Sequence, residues 1–207
     1  MVADGSSRVM TSDTHHASDG KVLNHSEATK RQLEREAAKH FMRLYERSHK
    51  TPMRHIWHNE PAKPDISCYL DGQPLDMEIA HLYANSSEAK TITHQLNDSA
   101  HSTGNGNGQR ETKWNGNQEL FNYLADLSEM DKAKRLKTAL VRILNSKSHK
   151  TYDSKRVWLI IRNASPIWQF DDFLDVIPHI HLLKHPFEKI WLLPDFDGQD
   201  DPILISR

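Results

Sequence analysis

Apolar positions change their period several times along the chain, and each change marks an element. Over residues 26–48, Leu33, Ala37, Phe41, Leu44 and Tyr45 recur at three- and four-residue spacing, which predicts a helix with Ser26 suited to cap it. At about 100° per residue these side chains cover one arc, while Arg31, Arg35, Lys39, Arg43 and Arg47 form an i, i+4 ridge elsewhere. Such a ridge is either a solvated face or a phosphate-contacting stripe. Glu34 falls inside the apolar arc, where an unpaired charge is costly, so it is a boundary residue or part of a site, with Glu27 and Glu36 as the alternatives.

After Thr51-Pro52 the helical period stops, and Met-Arg-His-Ile-Trp-His (53–58) reads as a strand followed by a loop at 59–64. Residues 64–81 then form two strand-like runs joined at Asp71-Gly72, a dipeptide that accepts the positive φ of a tight hairpin. A hairpin with Asp65 starting its first strand and Glu78 near the end of its second brings two chain-distant carboxylates to one end of the ribbon. Two acids so placed can hold a hard cation.

From 97 to 117 the chain is polar and rich in Gly and Asn, as expected of a long flexible insertion. A short helix is predicted over 118–127 and a stronger one over 131–148, with Leu136, Leu140, Ile143 and Leu144 on one face. Lys147 continues that inward stripe at the helix end and Lys150 follows three residues later; cations there also suit the helix dipole. The unbroken apolar run at 156–162 predicts a central strand covered on both faces. A helix broken by Pro178 (170–183), a buried strand at 188–193 and a last strand at 202–206 complete the reading.

Composition narrows the class. With 207 residues and 37% hydrophobic side chains the chain can bury one core, read as a single α/β domain over 25–207 behind a disordered tail at 1–24. The net charge of −1 conceals a basic stretch at 132–156 and an acidic last third. One cysteine, Cys68, excludes an intramolecular disulfide and any multi-cysteine zinc site. The absence of an apolar run of membrane-spanning length predicts a soluble, cytoplasmic protein without a membrane partner.

The order helix, three strands, helix, strand, together with Pro64-Asp65 and then Glu78 on the next strand, resembles the PD-(D/E)XK nuclease superfamily over residues 26–162. The resemblance implies a restriction-endonuclease-like core, a mixed central sheet flanked by helices in αβββαβ order. It also implies a Mg²⁺- or Mn²⁺-dependent endonuclease acting on nucleic acid, DNA before RNA; a homodimer is one oligomeric state the sequence leaves open. The implied metal ligands are Asp65, Glu78 and the carbonyl of Ile79. The family's usual lysine, two residues past the strand acid, is replaced by Ala80. Some branches of the family supply that lysine from the following helix, which implies Lys147, then Lys150; a first-helix acid aimed at the metal implies Glu34.

Two other classes remain open. One is a nuclease-fold module that binds nucleic acid without turnover, motivated by Ala80. The other is a protein-interaction domain that engages a partner through its acidic last third. Zinc held by His179, His181 and His185 lacks the glutamate of a zinc-protease motif. His55, His58 and His81, near the hairpin, could contribute to a site, with half-buried structural places the leading expectation.

Overall fold

The computed structural model describes residues 25–59, 63–84 and 131–206. The tail at 1–24, the insertion at 97–117 and the helix predicted at 118–127 lie outside the described residues. Among those described, no helix is long and apolar enough to cross a membrane.

Helix α1 spans His25–His49, starting one residue before the expected cap at Ser26. Strands β1 (Met53–His58), β2 (Ile66–Leu70) and β3 (Gln73–Leu82) follow as an antiparallel unit. The β2–β3 hairpin turns at Asp71 (φ 48) and Gly72 (φ 75), both left-handed, as a two-residue turn matched to strand twist requires. Helix α2 (Lys132–Ser148) is capped by Asp131, whose carboxylate accepts a hydrogen bond from the Ala133 N–H at 3.0 Å. Then come β4 (Val157–Asn163), α3 (Phe170–Val176), β5 (Lys189–Leu193) and β6 (Ile203–Ser206).

The result is an α/β fold around a mixed six-stranded open sheet in the order β1-β2-β3-β4-β5-β6. Strands β3, β4 and β5 run parallel, and β6 returns antiparallel to β5. Every residue of β4 is buried, the outcome its continuous apolar run predicts for a strand covered on both faces. The helix predicted over 170–183 is shorter: it ends at Val176 and passes into a 3₁₀ turn, Ile177–His179, because Pro178 has no N–H to continue an α-helical ladder.

Side-chain alternation divides the core between the two sheet faces. Leu75, Met77 and Ile79 of β3 join Trp158, Ile160, Trp191 and the apolar arc of α1 on one face. Ala80, Leu82, Leu159 and Ile161 join Leu136, Leu140 and Leu144 of α2 and Phe173 of α3 on the other. Because period 2 governs a strand, Glu78 belongs to the α2 face while its neighbour Ile79 packs toward α1.

The basic ridge of α1 is only partly a free face. Arg43 Nη2 donates to the Gly198 carbonyl at 2.7 Å, and Arg47 pairs with Asp201 at 2.7 Å. Asp195 is also occupied, accepting the backbone N–H groups of Gln199 and Asp200. Several charges of the acidic last third therefore close the fold onto α1 and order a turn.

Candidate functional site

The site forms where β3 outruns its neighbour. Strand β2 pairs with β3 only as far as Ile66 opposite Met77, so the edge of β3 from Glu78 onward has no β2 backbone beside it. Asp65, immediately before β2, supplies the missing partner: its Oδ2 accepts the Ile79 N–H at 2.8 Å. Asn59 holds the approach to Asp65, donating its backbone N–H to the Asp65 carbonyl at 3.2 Å and its Nδ2 to the Pro64 carbonyl at 2.7 Å.

Glu78 is 2% exposed and meets the end of α2. Lys147 Nζ lies 2.5 Å from Glu78 Oε1 and 3.3 Å from the Ile79 carbonyl oxygen. Lys150, just past the helix, donates to the same Glu78 oxygen at 2.9 Å. Burial would raise the Glu78 pKa, but the two ammonium groups outweigh it and hold the carboxyl below its ordinary value. Burial likewise opposes the charge on Lys150, and the pairing with Glu78 overcomes it, raising its pKa.

Glu34 reaches the same rim from α1, on the opposite layer. It is 5% exposed, with Lys30 at 3.3 Å and His58 Nε2 at 3.8 Å. Its pKa is raised to about 7, first by burial and then by the charge of Asp65, with Glu78 adding a smaller share. Asp65 is raised in the same way, by burial and then by Glu78. Three carboxyl groups thus feel one another at the sheet rim, the electrostatic condition that a bound cation relieves.

Asp65, Glu78, Ile79, Lys147, Lys150 and Glu34 therefore share one region. Of the alternatives on α1, Glu27 lies 4.0 Å from Arg31 and Glu36 accepts a hydrogen bond from the Gln32 amide at 3.1 Å. The oxygens of Glu78 and Ile79 that Lys147 touches are hard donors of the kind a divalent cation uses, so a cation bound here would compete with the ammonium for them. Among the described residues no three His, Cys, Asp or Glu side chains form a metal-holding group. A cation here would rest on two carboxylates, the Ile79 carbonyl and water, a donor set that suits Mg²⁺.

Other candidates take structural places. The ring of His81 sits among cations, and burial, then Arg162, then Lys147 lower its pKa to about 4. Burial also lowers His58. Cys68 is buried in the α1-side core with its thiol pushed up to about 12, which removes it as a nucleophile.

Tyr152 escapes a reading of the sequence. Its buried hydroxyl makes no hydrogen bond of full geometry among the described residues, yet it lies close enough to Glu78 for burial and then that carboxylate to raise its pKa. Nothing in the spacing points to it, because it sits on the irregular link between α2 and β4. The same link, with Lys63, Pro74 and Asp76, lines an open cleft of about 460 Å³.

Compared with known proteins, the chain has no significant match to a family model, to a curated protein or to a solved structure.

Proposed function

We propose that the chain is a metal-dependent nuclease of restriction-endonuclease-like fold, hydrolysing phosphodiester bonds of nucleic acid, with DNA as the first substrate to test. The observation that carries this reading is the ammonium of Lys147 seated against Glu78 and the Ile79 carbonyl, beside Asp65. A lysine delivered from α2 supplies the cation that Ala80 cannot.

Asp65 and Glu78 fit a Mg²⁺ or Mn²⁺ ion, with the Ile79 carbonyl as a third oxygen donor. When bound, the ion would polarise the scissile phosphate and lower the pKa of an attacking water. Lys147 stabilises negative charge developing on the phosphoryl oxygens; its position is fixed before reaction by α2 packing, so little reorganisation is needed. Lys150 and Glu34 set the field around that centre. Asp65 has a second duty, holding the edge of β3 that β2 leaves unpaired through the Ile79 N–H, which fixes the Ile79 carbonyl. Exposed lysines at the cleft, Lys63 and Lys155, offer phosphate contacts that add affinity without reading sequence.

A second reading has one specific observation behind it: Glu78 already carries two ammonium partners, so its charge is balanced without a metal. On that reading the domain binds nucleic acid but does not cut it.

The test is incubation of the purified protein with single- and double-stranded DNA and RNA, with Mg²⁺ or Mn²⁺, beside Asp65→Ala, Glu78→Ala and Lys147→Ala. The nuclease reading expects metal-dependent cleavage that all three substitutions suppress. Cleavage that survives both Asp65→Ala and Lys147→Ala removes the site, and binding without cleavage of any substrate favours the second reading.

A further inference from the structure

Strands β1 and β2 carry exposed aromatic rings on the face that bears Glu78. Trp57 is 41% exposed and Tyr69 37%. Their ring centroids are 5.6 Å apart, and His55 stands edge-on to Tyr69 at 5.9 Å. Register fixes the shared face: Tyr69 lies opposite Arg54 and Pro74, and Trp57 lies opposite Ser67, which in turn faces Asp76. His55 has φ 56 in an irregular step of the ladder, a bulge that turns its ring toward Tyr69.

No described helix covers these rings. The apolar cluster under α2 and α3 draws on β3 to β6 and takes no residue from β1 or β2. The opposite side chains of β2, Ile66, Cys68 and Leu70, are all buried under α1. Among the described residues, burial of one face therefore leaves the aromatic face without a covering element, although Trp and Tyr here would lower the free energy by being covered.

Position identifies the occupant. Pro74, paired with Tyr69, also lines the cleft with Lys63, Lys155 and Tyr152, and Tyr152 borders Glu78. The rings thus stand beside a cleft that carries Lys63, Lys155 and Arg156 together with Asp76 and Asp153, and whose Tyr152 adjoins Glu78. Rings spaced along a track flanked by cations suit unpaired bases joined by phosphates, since every base has a π-face.

We propose that Trp57 and Tyr69 form a stacking platform for single-stranded nucleic acid and lead an unpaired strand into the Asp65–Glu78 site. This deepens the nuclease reading and rests on it for the direction of the strand. It makes the substrate a single strand, or the unpaired flank of a branched or frayed duplex, in preference to an intact duplex.

Binding is measured by fluorescence polarisation in EDTA, where no cleavage occurs, with a labelled oligothymidine of about 12 nucleotides, the same strand in duplex, and inorganic polyphosphate as a base-free polyanion. The single strand should bind tighter than the duplex. Trp57→Ala and Tyr69→Ala should each weaken it about tenfold, while Tyr69→Phe, which keeps the ring, stays within about twofold. Polyphosphate binding should not change. As a readout free of substitutions, ultraviolet cross-linking of a 5-iodouracil strand to the unaltered protein should map to Trp57 or Tyr69.

Unchanged single-strand affinity in both alanine variants overturns the platform, as does equal weakening toward polyphosphate or cross-linking confined to other residues. So does a dimer that sedimentation shows dissociating in the double variant, because a second copy then covers the rings. The two proposals fail separately. A protein that binds through these rings but never cleaves sinks the nuclease and keeps the platform; one that cleaves duplex at the same rate without the rings does the reverse.

Discussion

Lys147 Nζ and Glu78 Oε1 are 2.5 Å apart although 69 positions separate them in the chain. The contact joins the end of α2 to the middle of β3, and its carboxylate is almost fully buried while its ammonium side keeps 18% exposure. Lys150 reaches the same oxygen but is 49% exposed, so water screens its charge more strongly. The two lysines are therefore unequal in what they can do at the site.

Lys147→Ala should lower the single-turnover cleavage rate by roughly a hundredfold, the scale of losing one preorganised charge contact, and Lys150→Ala by roughly tenfold or less. On the nuclease reading a bound cation would compete with Lys147 for the Glu78 and Ile79 oxygens, so Lys147→Ala should also tighten Mn²⁺ binding, read by titration calorimetry. Slower cleavage with weaker Mn²⁺ binding would contradict that competition.

Two substitutions separate the structural role of Asp65, its hydrogen bond to the Ile79 N–H, from the chemical role proposed for it. Asp65→Asn retains a carbonyl oxygen for the Ile79 N–H and should leave the melting temperature near that of the unaltered protein, while abolishing metal-dependent cleavage. Asp65→Ala leaves that N–H without its partner and should cost about 1–3 kcal/mol in urea unfolding as well. Equal stability of the two variants would show that the hydrogen bond contributes nothing.

Glu34 should make the protein less stable as pH rises. Its folded pKa of about 7 stands above its ordinary 4.5, so between those values the folded state holds more protons than the unfolded one. Stability falls across that window by on the order of 3 kcal/mol from this group. His81 acts with the opposite sign between about 4 and 6.5, since its folded pKa is depressed and stability is lost as pH falls. Subtracting the urea-unfolding profile of Glu34→Gln cancels the histidine, and a difference independent of pH from 5 to 7.5 would remove Glu34 from the buried cluster.

Gly198 anchors the acidic turn to α1. Its φ of 67 disfavours any side chain, and an added Cβ would lie 2.8 Å from His40 Cβ. Gly198→Ala should therefore cost about 1–3 kcal/mol by urea unfolding and loosen the Arg43 contact, without altering the Asp65–Glu78 site across the sheet.

The sequence by itself determined the element order, because local rules suffice for it. The 3.6-residue stripe from Leu33 to Tyr45 made α1, Asp71-Gly72 made the hairpin, and the unbroken apolar run of β4 announced a strand covered on both sides. Those signals also brought Asp65 and Glu78 together, since hairpin register follows from the turn, and aimed Lys147 inward, since helical angle follows from spacing. Only the tertiary structure decided that Lys150 joins Lys147 on one oxygen, that Tyr152 stands beside Glu78, and that Arg43 and Arg47 are spent on the acidic turn. It also decided that no described helix packs over the exposed rings of Trp57 and Tyr69. Each depends on where separate elements stop relative to one another, a distance set by packing across the sheet, and no period within a single element records it.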